Sequence, residues 1–408
     1  MDRSRRSFLH AGALAGLLAG CSGGGSNNAA PAANAPSNEP AGNSTPEPKP
    51  AVLDPTDHRG LLIGPGGRTR DGQKENWLSF VDLDRIEQYA SGALAPALLP
   101  ITFPGHAVVP HPVERHRAGI FEKWGPGACE VDMRAMTVLR QIETVPEREF
   151  YGHAAWSKDG SLLYAVESTK RSLGAYDGVI AVRDWQSMRI LGEFPTFGKS
   201  PHDCHILDDG KTLAITNGGG GPDEDNACVT FVDIASEKLL ESVPIAGLMA
   251  GHLAISARSS KGDLAVGSTP HSPPGSGPEG FKTVPGGLTL RASGGQAVTM
   301  SEPADVTNKM LGETLSLIIQ EELGVVGATN PAGNIVTFWD IKQGKHLKSF
   351  ELPMARGIAL TLDKRCFVVS YASNSSIVLI RAADLVEIEA SRFKPSGIAG
   401  SHAIVYEL

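Results

Sequence analysis

Five histidines stand out because their surroundings repeat with them. His106, His153, His202 and His252 follow one another at intervals of 47, 49 and 50 residues, and His402 holds a like position near the C-terminus. Each sits after a small residue or proline (Gly105, Gly152, Pro201, Gly251, Ser401) and opens a short, mostly apolar stretch. Glu313 and Gly357 fill the remaining positions of the series, with intervals of 61, 44 and 45 residues. Imidazoles beside a carboxylate make a donor set for iron, copper, zinc or nickel. The candidate metal ligands are therefore His106, His153, His202, His252, His402 and Glu313. Gathering imidazoles also disfavours their protonation, since like charges repel. A plainer account has equal standing: a histidine at a strand start often just bonds a neighbouring backbone. No metal-binding spacing occurs within one segment, so convergence depends wholly on the fold.

Other patterns narrow the chemistry. His202, Cys204 and His205 are close in sequence, but on a regular strand 202 and 204 share a face while 205 points away. That segment is expected to bury Cys204 beside an inward His202. His153 lies six residues before the turn Asp159, whereas His202 lies seven before Asp209. One of the two strands is then bulged, or one histidine is turned aside. The chain contains no Gly-x-Ser-x-Gly elbow and no HExxH. A metal-dependent lactonase would recruit Glu313, Asp203 and Asn217. The glycine run 218–221 is no phosphate cradle, because no Lys-Ser/Thr follows it.

Groups so far apart in number need a repeating scaffold. The unit is a small residue with His, an apolar strand, an acidic-Gly turn, a second strand, a loop, and a strand ending in Asp. One copy reads Gly152-His153-Ala154-Ala155-Trp156-Ser157-Lys158-Asp159-Gly160, followed by strands at 161–166 and 178–184. The next reads Pro201-His202-Asp203-Cys204-His205-Ile206-Leu207-Asp208-Asp209-Gly210, with strands at 212–217 and 228–234. Four short antiparallel strands per interval is the pattern of a propeller blade. The longest interval contains 269–286, dense in Pro and Gly and expected as a loop. The seventh start leaves a single strand, 401–406, while 60–63, 77–82 and 98–103 offer three strands lacking a first one. The expected fold is all-β: a seven-bladed β-propeller over residues 51–408, closed by the C-terminal strand joining the N-terminal strands. Closure hides strand edges that would otherwise pair with other chains; six and eight blades are the rivals. Three loops should open on the histidine face: 64–76 with Arg68, Arg70 and Lys74, 168–177 with Lys170 and Arg171, and 217–227 with Asp223, Glu224 and Asp225. Together they read as a recognition surface.

Composition agrees. The 408 residues are 41% hydrophobic, enough for a large core and too much for a wholly disordered chain. Lys and Arg number 37 against 45 Asp and Glu, so no nucleic-acid partner is expected. Aromatics are only 6%, while 47 Gly and 28 Pro suit many tight turns. Residues 1–20 read as a targeting signal. Ser4-Arg5-Arg6-Ser7-Phe8-Leu9 fits a twin-arginine leader, its apolar run is too short to span a bilayer, and Leu18-Ala19-Gly20-Cys21 looks like a lipobox. Cys21 would be lipidated, followed by a flexible tether through residue 50. Ser22 after the lipid site favours the outer membrane of a Gram-negative cell, so the expected location is the periplasm, held to the membrane by the lipid alone. Cys129, Cys204, Cys228 and Cys366 show no CxxC or CxxCH pattern and read as small buried hydrophobes.

The leader, the 152–160 turn, Gly192-Glu193-Phe194-Pro195 with Ser200-Pro201-His202-Asp203, and Leu213-Ala214-Ile215-Thr216-Asn217-Gly218-Gly219 occur together. In this the chain resembles a bacterial domain-of-unknown-function family, number fifteen-thirteen. The resemblance spans about residues 51–408 and is most specific over 150–220. It implies a propeller similar to YVTN and WD-repeat proteins, although Trp339-Asp340 alone matches the WD ending. The genes of that family often neighbour imelysin-like and other iron-acquisition genes, which implies periplasmic iron-uptake partners and iron or copper as the bound metal. The leading expectation is a lipid-anchored propeller binding a metal or protein partner at its histidine face. The alternatives are a metal-dependent hydrolase or lactonase in the same channel, and a protein-interaction scaffold with structural histidines.

Overall fold

The computed structural model describes residues 52–54, 56–169, 177–220, 224, 226–256 and 259–408. The signal and tether expected over 1–50, with Arg5, Arg6 and Cys21, lie outside the described residues, as do Lys170, Arg171, Asp223 and Asp225. From Leu61 onward the chain is an all-β succession of antiparallel strands, with only short helical turns such as Ile86–Ala90 and Ala304–Thr307. No helix among the described residues is long and apolar enough to cross a membrane.

Successive strands pair as meanders of four. Residues 201–244, 249–299, 316–351 and 358–393 each form one four-stranded sheet in chain order. Residues 105–141 and 148–195 form two more, fused where Lys123 faces Tyr151 and Gly125 faces Phe150. The fusion comes from unequal length: Arg117–Gly125 has nine residues and its partner Ala128–Asp132 has five, so the excess pairs across the gap. The last sheet draws on both chain ends. Its order is Ile404–Tyr406, Leu61–Arg70, Gln73–Asp82, Ala97–Ile101, with Leu61, Leu62 and Ile63 facing Tyr406, Val405 and Ile404.

The segment 64–76 is not a loop. Leu61–Arg70 and Gln73–Asp82 pair over ten residues each and turn at Asp71-Gly72. Both turn residues have positive φ, 50° and 78°, which a two-residue hairpin turn needs and an Asp-Gly pair supplies.

Seven apolar clusters among the described residues hold the meanders face to face, each shared by two neighbouring ones. One joins Leu62 and Val81 to Ile377 and Leu379, the two ends of the chain. The leading strands also touch in turn. Contact passes from Gly105–Pro110 to Arg148–Trp156, Pro201–Ile206, Met249–Ile255, Ser316–Gln320, Ile358–Leu360 and Ile404–Tyr406. Leu61–Arg70, paired with the last, touches the first, so the succession closes on itself. Polar ties support the junction: the Trp77 indole donates to the Gly397 carbonyl at 2.8 Å, and Arg365 meets Asp57 at 2.7 Å. Cys129, Cys204, Cys228 and Cys366 are unpaired and buried, and burial pushes the Cys129 and Cys366 thiols up to about 12. Removing residues 403–408 deletes the closing strand and uncovers the cluster around Leu62. The expected loss is about 3 kcal/mol or more, seen as a lower urea midpoint; an unmoved midpoint would show that the strand does not close the structure.

Candidate metal centre

Each of the four histidine-bearing leading strands is irregular at or next to its histidine. Pairing shifts between Gly105 and Ala107, Phe150 and Ala154, Pro201 and Cys204, and Ala250 and His252. The leading strands without histidine, Ser316–Gln320 and Ile358–Leu360, pair without a shift. A bulge places two residues opposite one and re-aims a side chain. In Pro201–Ile206 it brings both His202 and Asp203 to the cluster, while Cys204 enters an apolar core with its Sγ 3.8 Å from the Tyr164 carbonyl. This corrects the shared face expected for His202 and Cys204, which part company at the bulge; Asp203 and His205 share a side as alternation requires, bonded at 3.2 Å. The unequal spacings to Asp159 and Asp209 pointed to a bulge or a turned-aside histidine in one strand; all four histidine-bearing leading strands are irregular.

Close backbone approach does the rest. Gly152 has φ of 99°, and a Cβ there would stand 2.3 Å from His106 Cδ2, so only glycine lets the two strands bring their histidines together. The Thr216 hydroxyl accepts from the Asp203 amide and donates to the Gly251 carbonyl, tying two successive histidine strands.

The five rings converge. Potential ligand atoms of His106, His153, His202 and His252 all lie within 4.8 Å of one another. His252 Nε2 is 2.7 Å from His202 Nε2 and 3.0 Å from His402 Nε2. His153 Nδ1 meets Asp203 Oδ1 at 3.0 Å, so in the neutral ring Nδ1 carries the proton and Nε2 keeps its lone pair. Asp203 Oδ2 accepts from His205 and from the Leu253 amide. Glu313 stands at the margin, with Oε1 3.9 Å from His252 Nδ1 and 3.4 Å from the Lys123 ammonium.

These nitrogens are buried without being satisfied. His106, His202 and His252 are 3–4% exposed, and His106 Nε2, His153 Nε2, His202 Nδ1 and His252 Nδ1 have no hydrogen-bond partner among the described residues. His111 shows the contrast of a structural histidine: its Nε2 lies 2.9 Å from the Gly160 carbonyl and its Nδ1 accepts from the Glu114 amide at 2.8 Å. Burial, then the neighbouring imidazoles and Lys123, hold His106, His202, His252 and His402 well below the ordinary 6.5. Burial alone would raise the Asp203 carboxyl, but His153 and His205 overcome it and hold that group well below its ordinary value. The result is a set of neutral imidazoles, the protonation state in which nitrogen can bind a metal.

Space reaches the cluster from several directions. A cavity of about 450 Å³ is lined by His202, Glu313, Lys123, Ser200 and Phe281, the last from the 269–286 loop. A second, of about 660 Å³, touches His153, His252, His402 and Asp203 and continues along the bodies of the leading strands. Asn217, a lactonase candidate by sequence, lines neither cavity; its Nδ2 bonds the Thr196 and Ile215 carbonyls and the Thr230 hydroxyl, while its buried Oδ1 has no hydrogen-bond partner among the described residues. Lys123 and Arg356 were missed as site residues because neither lies in the repeating motif. One reaches the site through the sheet fusion and the other from the residue before Gly357.

The burial of neutral imidazoles makes stability fall with acid. Unfolded histidine titrates near 6.5 and the folded groups well below it, so between those values the unfolded chain binds more protons. With chelator present, stability should be flat above pH 6.5 and decline below it, by up to about 1.4 kcal/mol per pH unit for each such imidazole. Urea titrations at several pH values check this, and a flat profile down to pH 5 would contradict it.

The comparisons with known proteins concern fold and family. No curated protein matches the sequence. Among solved structures, Kuenenia stuttgartiensis hydrazine synthase is similar with a TM-score of 0.57 over 76% of this chain and 92% of that one. At 15% identity this likeness carries the fold alone, and it fits a β-propeller. A family model described as "Protein of unknown function (DUF1513)" matches residues 99–394, a stretch that includes four of the five clustered histidines, and the chain belongs to that family.

Proposed function

We propose that this chain is a seven-bladed β-propeller whose axial histidines hold one transition-metal ion. The blade count is supported by the seven shared apolar clusters and by the closed succession of leading strands. The metal reading is carried by one observation: ligand atoms of four histidines lie within 4.8 Å of one another, with buried ring nitrogens that lack a hydrogen-bond partner among the described residues. An all-imidazole set favours copper, iron, nickel or zinc over hard oxygen-seeking ions. Asp203 supports the set from outside, fixing the His153 tautomer as carboxylates do behind metal-bound histidines. The hydrolase alternative is weaker, since Asn217 lines neither cavity at the cluster and Glu313 is paired with Lys123. Export by the twin-arginine leader, lipid anchoring at Cys21 in the periplasm and a role in iron acquisition complete the proposal. They rest on the leader sequence and on the genes that neighbour the family.

Mass-spectrometric metal analysis of the protein matured in the periplasm tests it. The expected content is about one ion per chain, lost in His153→Ala and in His252→Ala. Equal metal in both variants and the parent would end the metal reading. Asp203→Asn should weaken metal affinity by about 10–100-fold without abolishing it, measured by competition with a chelator.

A further inference from the structure

We propose that the histidine cluster binds its metal together with a small oxyanion, held between the metal and the side chains of Lys123 and Arg356. The inference rests on the metal reading above. Both cationic residues line one cavity of about 330 Å³, along with His106 and Ser401. His106 is 4% exposed, and its Nε2 has no hydrogen-bond partner among the described residues. The cavity therefore brings a candidate metal ligand and two fixed positive groups to one small space.

The two cations arrive by separate routes and are held in place. Lys123 stands on the strand extension that fuses two sheets, with its ammonium 3.4 Å from Glu313 and 5.0 Å from the centre of the Trp124 ring. Arg356 donates from Nε to the Gly400 carbonyl at 3.3 Å and from Nη2 to the Ser401 hydroxyl at 3.1 Å. These bonds use two of the five guanidinium donors. Among the described residues no carboxylate lies within ion-pair distance of Arg356.

Charge decides the class of ligand. A divalent ion on neutral imidazoles would add two positive charges to those of Lys123 and Arg356. The nearby carboxylates are Glu313 and Asp203, and Asp203 is already shared by two histidines and an amide. Positive charge is then in surplus at a partly buried site, where an unpaired charge is costly. The Lys123 ammonium already disfavours protonation of His106, His202 and His252, so its field reaches the ligand set. A carboxylate or phosphate can give one oxygen to the metal and others to the ammonium and guanidinium, both strong charge-assisted donors. Coupling is reciprocal: an anion that prefers the loaded protein must tighten the metal by the same factor.

The experiment uses the mature chain loaded with Cu(II), followed by its visible band and by electron paramagnetic resonance. Sodium malonate and inorganic phosphate are titrated separately, against sodium chloride at matched ionic strength. A saturable shift with malonate or phosphate, and tighter copper in chelator competition, is the expected result; the stronger of the two identifies the anion as carboxylate or phosphate. Lys123→Met and Arg356→Met should each raise the half-saturating anion concentration about tenfold or more, and Lys123→Arg should recover much of that loss. Nitrogen-bound copper that ignores both anions would overturn the oxyanion site and leave the metal reading intact. Shifts of equal affinity in parent and variants would also overturn it, by putting the anion elsewhere. Absence of nitrogen-bound copper in the parent would overturn both.

Discussion

Sheets stacked in a row have two open ends, and each end leaves an apolar face in water. In this protein the ends meet: Ile404–Tyr406 lies against Leu61, Leu62 and Ile63, and the cluster behind them joins Leu62 and Val81 to Ile377 and Leu379. Three residue pairs of backbone hydrogen bonds are a modest gain, since each bond contributes about 1 kcal/mol net. A fully buried aliphatic side chain contributes about 1.5–3 kcal/mol relative to exposure. The apolar cluster thus supplies the energy of closure, and the short strand supplies its register. The histidine cluster depends on both, because His402 immediately precedes that strand.

The centre itself works against the solvent preference of its own groups. Imidazole nitrogens withdrawn from water need partners, and a protein that only wanted structural histidines had the means to provide them. His111, wedged against Trp156 and Trp185, is satisfied at both nitrogens. The clustered histidines are turned toward one another instead, by an irregularity in each of the four leading strands that carry them. Local irregularity repeated at equivalent positions, and absent where the histidine is absent, is hard to attribute to packing alone.

The repeat was legible in sequence because it is written in short-range chemistry: small residue, histidine, apolar run, acidic-Gly turn. Counting those units also identified the chain-end pairing. The five histidines were found for the same reason. What sequence missed was local geometry that depends on partners. The 64–76 segment looked like a polar loop, yet the Asp71-Gly72 turn lets it pair throughout as a hairpin. The alternation rule put His202 and Cys204 on one face, and a bulge between Pro201 and Cys204 separates them. Lys123 and Arg356 carried no local signal at all; only the sheet fusion and the return of the chain at 400–401 bring them to the histidines.

The five clustered imidazoles come from positions 106 to 402, one to a meander, and only the closed succession of strands brings the fifth, His402, to the other four. On the metal reading proposed above, a growing polypeptide would lack the complete five-imidazole centre until its last residues have docked. If the proposed metal needs that centre, seating would follow closure, and the surroundings in which the final strand docks would decide which element is bound. An exporter that moves finished proteins would let the inner compartment make that choice; one that threads loose chains would hand it to the outside.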